Sequence, residues 1–289
     1  MDRPLTERDR ELLLFLAEHR LVLATHVETL FGVSADAAER RLRALAQQGY
    51  LSRRRIFFGQ PPCCHIRARG LAAVGSELPA PRLNLVNYEH DVGVAWIWLA
   101  AKRGTFGPLR EVIGERRMRS HDGRLNAEQL TPNPALAGAN ALADSAWRSG
   151  QPLAVRLGPA GRSGRDRLHY PDLLLRTSDG KRIAIELELS SKGRARLEGI
   201  LLGYASDRRI DGVLYLVEDR PAGRTVGETV RSSARRLGIE DLIAVRRLRV
   251  NDGRTTGGIA DRGREASRGR EPGRGRDHGR HRAPMELGM

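Results

Sequence analysis

Apolar residues recur at helical spacing over residues 5–50, a pattern that predicts three helices. The first begins after Thr6, a residue type that caps helix N-termini, and carries an apolar stripe of leucines. The second is short, with Thr25 as its cap and Gly32 at its end. The third is capped by Ser34 and combines an apolar face with a basic one.

The pattern then changes to strands. Residues 50–68 read as two strands around a tip that contains Gly59, Pro61 and Pro62, and a short helix is predicted after them. Three helices followed by a β-hairpin is the order of a winged helix-turn-helix, in which the third helix enters the major groove of DNA. The sequence therefore predicts such a DNA-binding domain over residues 1–80.

Candidate contacts to double-stranded DNA lie on the outward side of the third helix and on the predicted wing. Arginine suits this role because its planar fork donates paired hydrogen bonds to phosphates and base edges. The candidate residues are Arg40, Arg41, Arg43, Gln47, Arg53, Arg54 and Arg55. The alternative is a solvated basic helix in a domain that binds a protein. The agreement between helix order, wing and charge placement favours DNA.

The wing also contains the adjacent cysteines Cys63 and Cys64, followed by His65. Vicinal cysteines point in different directions on a strand, and the chain has no second cysteine pair, so a zinc site is not expected. They are interpreted as ordinary wing residues. Two adjacent cysteines cannot form a disulfide framework, which favours a reducing compartment.

The second predicted domain, residues 81–250, begins with a long amphipathic helix. Its buried side is predicted to carry Val92, Ala95, Trp96 and Leu99. A strand-like stretch over 109–119 follows and includes Glu115. Residues 119–165 are rich in Gly, Pro and Ala and are predicted to be an insertion or long loop.

Strand and helix patterns alternate over residues 166–250. A hairpin, a helix, a strand, a second helix and a last strand are predicted, which requires right-handed crossovers and a mostly parallel sheet edge. The fold class is thus α+β or α/β. Residues 251–289 are rich in Arg and Gly without apolar periodicity and are predicted to be disordered.

Charge strengthens the nucleic-acid interpretation. The 289 residues carry a formal net charge of +15, an excess that favours polyanionic partners. Aromatic residues make up 4%, which argues against a base-stacking module for RNA or single strands as the main activity. No apolar run is long enough to span a bilayer and the N-terminus is charged, so we expect a cytoplasmic protein without membrane contact.

The register of the hairpin decides whether its acidic residues meet. A three-residue loop over 178–180 brings the aliphatic residues of the two arms opposite one another, Leu173 opposite Ile185 for example. The same register places Asp172 opposite Glu186. A two-residue loop would put leucines on the carboxylate face, so the hydrophobic pattern selects the register that gathers the acids.

Opposed carboxylates on neighbouring strands suit a hard divalent cation. Their Cβ atoms lie about 5 Å apart, and Mg²⁺ and Mn²⁺ prefer carboxylate oxygens and water. Glu188 shares the strand face of Glu186 because side chains alternate along a strand. A Mg²⁺ or Mn²⁺ site is one interpretation of this cluster. The other is a solvated outer face of an edge hairpin.

The motif "PD", a turn and then "ELE" resembles the PD-(D/E)xK nuclease superfamily, in which the Asp and the first Glu bind metal and a lysine activates water. Pro171 and Asp172 match its first half, and Glu186 matches its second half. The lysine position holds Glu188, and Lys192 is the candidate substitute. The resemblance implies Asp172, Glu186, Glu188 and Lys192 as catalytic candidates on a restriction-endonuclease-like fold.

A fuller resemblance covers residues 5–250. The winged-helix pattern, "YEHDVGVAW", "GERRMR", "PDLLL", "IAIELEL" and "RLEGILLGY" follow one another in the order typical of the replication-relaxation family. The resemblance implies a DNA-binding role in plasmid or conjugative-element replication and relaxation, with Glu115 joining Asp172 and Glu186 as a metal ligand. Relaxase or replication proteins are the implied partners, and a homodimer is left open.

Two rival functions remain open from the sequence. The protein could be a winged-helix transcriptional regulator whose second domain is an inactive nuclease fold used for dimerisation or effector binding. Alternatively, it could be an active endonuclease of a defence system. Metal-dependent cutting distinguishes the enzyme from the regulator.

Overall fold

The computed structural model describes residues 4–130, 151–159, 166–250 and 285–287. These residues form a mixed α+β structure with eight α-helices, α1–α8, and three β-sheets. Within the described ranges, none of the helices combines the length and apolar composition needed to cross a lipid bilayer. The centre of the predicted insertion and nearly all of the predicted disordered tail lie outside the described residues.

The N-terminal unit consists of helices and a small antiparallel sheet. Its elements are α1 (Glu7–Glu18), β1 (Val22–Leu23), α2 (Ala24–Phe31), α3 (Ala35–Gln47), β2 (Leu51–Arg54), β3 (Cys63–Ile66) and α4 (Ala68–Ala73). Strand β3 lies between β1 and β2 in the sheet. The three helices and the two strands predicted from the sequence are confirmed.

Two of the predicted helix caps are confirmed and one is wrong. The Thr6 side chain accepts from the backbone N–H of Asp9 in a reciprocal capping box, and Ser34 accepts from the third backbone N–H of α3. Thr25 does not cap α2, because the helix already begins at Ala24. Leu23 is the N-cap residue instead, and its backbone N–H donates to the Nδ1 of His26 at 2.9 Å.

The rest of the chain builds a six-stranded sheet flanked by helices. The elements are α5 (Tyr88–Lys102), β4 (Leu109–Gly114), α6 (Glu115–Leu130), β5 (Val155–Pro159), β6 (Asp166–His169), β7 (Leu173–Thr177), β8 (Arg182–Glu188), α7 (Arg194–Ser206), β9 (Gly212–Glu218), α8 (Pro221–Leu237), β10 (Ile243–Val250) and β11 (Met285–Leu287). The strand order is β11-β10-β9-β8-β7-β4, and a separate ribbon pairs β5 with β6. Strands β8, β9 and β10 are parallel, as predicted from the strand–helix–strand pattern.

Three sequence predictions are corrected by this arrangement. The strand predicted over 109–119 ends at Gly114, and Glu115 begins α6, which extends into the supposed loop of 119–165. Hydrophobic periodicity did not predict this helix, because its buried face includes the polar residues His121 and Asp122 beside Met118. Residues 285–287 of the predicted disordered tail form β11, which pairs antiparallel with β10.

The predicted register of the acidic hairpin is confirmed. Leu173 pairs with Ile185 across the β7–β8 ladder. The Thr177 backbone N–H donates to the Lys181 carbonyl at 3.0 Å, which closes the three-residue loop predicted for this turn. Gly180 sits in that loop with a φ of 91°, a conformation that favours glycine.

The hairpin lies in the interior of the sheet and not at its edge. Strand β9 pairs with the free side of β8, and separate apolar clusters cover the two sheet faces. The carboxylate-bearing face of β8 is therefore buried, with Glu186 2% and Glu188 5% exposed. The alternative interpretation, a solvated outer face of an edge hairpin, is wrong because strands and helices enclose this hairpin.

Helix α5 joins the two halves of the molecule. Val92, Ala95 and Trp96 pack into the core of the N-terminal unit, as does the fourth residue of the predicted stripe, Leu99. Ile97 and other residues of its opposite side pack against the six-stranded sheet. The predicted buried side of α5 is confirmed, but the helix buries a second side as well. It therefore brings the N-terminal unit close to the ends of β7 and β8, where the acidic residues lie.

Candidate functional site

The predicted acidic residues converge on one cleft. The cleft encloses about 740 Å³ and lies between the first turns of α5, α6 and α7 and the ends of β7 and β8. Its lining includes Glu115, Asp172, Glu186 and Glu188, together with Lys192. The structure thus brings together every residue that the sequence placed in the nuclease-like site.

Asp172 fastens the end of the hairpin. Its backbone N–H donates to the Ile185 carbonyl at 3.0 Å, one step beyond the β7 ladder. Its side chain reaches across to β8, where Oδ2 accepts from the Leu187 backbone N–H at 2.7 Å. The same oxygen lies 3.1 Å from His90 Nε2, on the first turn of α5.

His90 is the cation that balances Asp172. Burial alone would lower the pKa of the His90 ring, but attraction and hydrogen bonding by Asp172 and Asp91 outweigh it and raise the pKa to about 10. The imidazole is therefore protonated at neutral pH, and Nε2 donates to Asp172.

Glu186 is held by two side chains. The Tyr204 hydroxyl donates to Oε1, and His169 Nε2 lies 2.6 Å from the same oxygen. Burial by itself would raise the pKa of the Glu186 carboxyl, but the attraction of His169 and Lys192 lowers it below its usual value. The side chain is thus a buried, hydrogen-bonded carboxylate.

Glu188 pairs with Lys192. The Lys192 ammonium at the approach to α7 donates to Glu188 Oε2. Burial raises the pKa of the Glu188 carboxyl more than Lys192 lowers it. Burial disfavours the Lys192 ammonium, but the attraction of Glu186 and Glu188 raises its pKa. Lys192 therefore reaches the acidic cluster, where it is engaged by the residue that occupies the lysine position of the motif.

Glu115 is neutralised from two sides. Arg20, from the segment that follows α1, donates to one carboxylate oxygen at 2.7 Å, and Arg119 donates to the other at 2.6 Å. The Arg119 guanidinium also lies 4.4 Å from the centre of the Tyr170 ring. The Glu115 backbone N–H donates to the Asp172 carbonyl at 3.1 Å, so this residue borders the cluster.

The fit of the cluster to Mg²⁺ or Mn²⁺ depends on which of its carboxylate oxygens are free. The hydrogen bonds of Asp172 fall on Oδ2 and those of Glu186 on Oε1, so one oxygen of each has no hydrogen-bond partner among the described residues. However, the described part of the chain contains no group of three or more His, Cys, Asp or Glu side chains placed to hold a metal ion. As arranged, these side chains do not form a ready metal centre, and the metal site stays a prediction.

The protein's own cations therefore compensate the crowded carboxylates. Four cations contact acids of the cluster. His90 pairs with Asp172, Lys192 pairs with Glu188, and Glu115 pairs with both Arg20 and Arg119. These cations come from α5, α6 and two connecting segments, so the neutralisation is distributed around the cleft. Such a cluster can exist without a bound ion because each buried charge has an oppositely charged partner or hydrogen-bond donors.

Residues missed by the sequence analysis include Tyr204, Arg20 and Arg119. Tyr204 lies near the C-terminal end of α7, in an apolar stretch typical of a core helix. Its ring is indeed buried, and only its hydroxyl takes part in the cluster. Arg20 belongs to the N-terminal unit and reaches Glu115 across 95 residues of sequence. No local pattern indicates such a contact.

The predicted DNA-contacting residues separate into two groups. Arg40, Arg43, Gln47, Arg54 and Arg55 are exposed. Arg43 also lies 3.9 Å from Glu39, yet its side chain remains 58% exposed. Arg53 is half-buried, and its guanidinium donates to Glu39 at 2.6 Å. That contact joins strand β2 to helix α3.

The Arg41 side chain binds a buried residue of the N-terminal unit and does not belong to the exposed basic surface. Its guanidinium donates to both carboxylate oxygens of Asp9, a residue that is 1% exposed on α1. Burial acts to raise the pKa of the Asp9 carboxyl, but hydrogen bonds from Arg41 and Thr6 lower it. Arg41 therefore fixes α3 against α1, and its contribution is to folding.

Cys63 and Cys64 are buried free thiols on β3. Burial raises the pKa of the Cys64 thiol to about 12, so it is protonated and unreactive at neutral pH. The cysteines pack in the core of the N-terminal unit. The sequence interpreted them as ordinary wing residues, and β3 is the second strand of that hairpin.

No protein-family model, curated protein or solved structure matches this chain. The resemblance to the replication-relaxation family is therefore carried by the sequence motifs and their order.

Proposed function

We propose that this protein binds double-stranded DNA through its N-terminal unit, acting as a winged helix-turn-helix. The observation that carries the proposal is one basic surface on α3 and the β2–β3 hairpin, here named the wing and comprising residues 51–66. Exposed arginines occupy both elements, and the Arg53–Glu39 ion pair holds them together. A rigid helix beside a basic hairpin is the arrangement that reads a groove and grips the flanking phosphates.

The spacing on α3 supports this role. Arg40, Arg43 and Gln47 are separated by three and four residues, so they share one face of the helix. The opposite face carries Leu42 and Leu45, which are buried in the core. An Arg or Gln side chain at such positions can form paired hydrogen bonds to a purine edge in the major groove.

The second half of the molecule is proposed to be a restriction-endonuclease-like domain that positions the DNA-binding unit. Its acidic cluster is neutralised internally, which favours a structural platform over an active centre. The order of the motifs supports a role in plasmid or conjugative-element replication and relaxation, with relaxase or replication proteins as partners. A winged-helix transcriptional regulator with an inactive nuclease-fold domain remains the alternative.

Salt dependence of DNA binding tests the proposal. Four exposed arginines, Arg40, Arg43, Arg54 and Arg55, are available to neutralise phosphates or contact bases. Each neutralised phosphate contributes about −0.9 to the slope of log K against log salt, so we expect a slope of roughly −3 or steeper on a 30-bp duplex. Fluorescence anisotropy between 50 and 300 mM salt measures it. A flat response, or no binding at low salt, would contradict the proposal.

Metal-dependent nicking is the second candidate function. It is favoured by the free carboxylate oxygens of Asp172 and Glu186, which come from neighbouring strands and line one open cleft.

Incubation of supercoiled plasmid with the full chain and Mg²⁺ or Mn²⁺ tests this activity. We expect no conversion to the nicked form within an hour, because the carboxylates are already neutralised. Nicking that disappears in Asp172→Ala, with unchanged folding, would establish the enzyme and reject the platform. The Leu202→Ala variant, altered at an exposed position of α7, is the matched control.

A further inference from the structure

The tip of the wing exposes an aromatic side chain to solvent. Phe58 is 104% exposed, and the neighbouring Phe57 is 39% exposed. Both precede Gly59, whose φ of 73° turns the chain. A fully exposed phenylalanine has no packing role in the folded chain, so its side chain is available to a partner.

The tip is also fixed in place. The Phe57 ring packs edge-on against Tyr88 at the start of α5, with ring centres 5.1 Å apart. One phenylalanine therefore anchors the tip to the second half of the molecule, and the next one is presented outward. A side chain presented from an anchored hairpin loses less conformational freedom on binding than one on a free loop.

The charge around Phe58 indicates the chemistry of the partner. Residues 50–70 contain no Asp or Glu, and Arg54 and Arg55 are exposed near the tip. An apolar wedge set among arginines suits a polyanion with an apolar interior. Duplex DNA has this character, because charged phosphates surround stacked bases.

We propose that Phe58 inserts into the DNA minor groove beside the site held by α3 and partly unstacks one base step; this inference rests on the proposed DNA-binding function. Inserted apolar side chains kink a duplex, and the unstacking is offset by the additional protein surface that the bent DNA contacts. Flexible pyrimidine–purine steps are the least costly to open and are the expected targets.

The tip that carries Phe58 lies close to the cleft that contains the acidic cluster. Phe57 contacts Tyr88, and the adjacent residues Val86 and Asn87 line the cleft that contains the acidic cluster. Val86 is itself 92% exposed. A base step opened at the tip would therefore lie next to the entrance of the cleft.

The experiment uses the full chain and a 40-bp duplex with TA steps, 2-aminopurine beside those steps and a fluorophore pair at the two ends. We expect the unaltered protein to raise 2-aminopurine fluorescence and to increase energy transfer between the ends. The Phe58→Ala variant should lose most of both signals and bind roughly 5- to 100-fold more weakly, the range for removal of one base–aromatic contact. Phe58→Leu, which keeps an apolar wedge, should retain part of the distortion.

Leu202→Ala is the matched control, since Leu202 is also an exposed apolar residue but lies on α7. It should distort DNA like the unaltered chain. All variants should have the same melting temperature because neither exposed side chain supports the core. If the unaltered chain binds DNA but Phe58→Ala distorts it equally, the wedge is rejected and the DNA-binding function stands.

Two other outcomes would also reject the proposed insertion of Phe58. Absence of DNA binding by the unaltered chain rejects both the wedge and the function on which it rests. Loss of self-association in Phe58→Ala, measured by light scattering, with unchanged distortion of DNA would assign the tip to a second copy of the chain and reject the wedge.

Discussion

Replacing both Arg40 and Arg43 by alanine is expected to weaken binding to duplex DNA by about 30- to 10⁴-fold. Each arginine on the exposed face of α3 accounts for about 1–3 kcal/mol if it contacts a base edge or phosphate. The slope of log K against log salt should become less steep by up to about 2, because up to two phosphate contacts are lost. Anisotropy titrations of the double variant across salt concentrations measure both quantities.

Arg41→Ala is the matched control for that variant, because Arg41 lies on the same helix but is bound to buried Asp9. We expect it to leave the salt slope unchanged and to lower the free energy of unfolding by roughly 2–4 kcal/mol, since Asp9 would keep a buried charge without its cation. The opposite result is an unchanged salt slope in the double variant and a less steep one in Arg41→Ala. It would mean that α3 presents a different face to the DNA.

Glu186→Ala is expected to destabilise the protein by about 3–5 kcal/mol, the effect typical of breaking a buried charged network. The substitution leaves the Tyr204 hydroxyl, which is almost fully buried, without its acceptor, and it removes the partner of His169. An unsatisfied buried hydroxyl alone costs about 1–3 kcal/mol. Urea denaturation followed by circular dichroism gives the change in free energy of unfolding.

Glu186→Gln separates charge from hydrogen bonding at the same position. Its amide oxygen can still accept from Tyr204, and its neutrality relieves repulsion from Glu188, so we expect a loss of only about 1 kcal/mol. Added Mg²⁺ should leave the melting temperature of the unaltered chain unchanged. A rise in that temperature with Mg²⁺ that disappears in Glu186→Gln would contradict the internally neutralised cluster, because ligand binding stabilises only a state that binds the ligand.

The local sequence carried enough information for the hairpin and for the first three helices. Two-residue alternation fixed which side chains of β7 and β8 share a face, and only one register buries Leu173 and Ile185 together. Side-chain caps at Thr6 and Ser34 act within four residues, so their chemistry is readable from the chain. The start of α2 was misjudged because its N-cap position holds Leu23, which is not a capping residue type, and His26 accepts from the Leu23 backbone N–H.

The role of each arginine could not be read in the same way. Arg40 and Arg41 are adjacent in sequence, yet the first is exposed and the second is bound to Asp9 on another helix. A 3.6-residue period places neighbours about 100° apart around the helix axis, but the position of α1 decides which of them meets a carboxylate. The sequence therefore indicated a basic helix without separating DNA-facing residues from core-facing ones.

What the sequence alone determined is the pairing of the acidic hairpin and the succession of elements around it, because periodicity and turn chemistry operate over a few residues. The tertiary structure decided that this hairpin is central, that His90 and Lys192 pair with its Asp172 and Glu188, and that Arg20 and Arg119 pair with the neighbouring Glu115. Two of these contacts, His90 with Asp172 and Arg20 with Glu115, join residues 82 and 95 positions apart in the chain. Their electrostatic effect depends on distance and burial in the folded molecule, and neither is encoded in any short stretch of sequence.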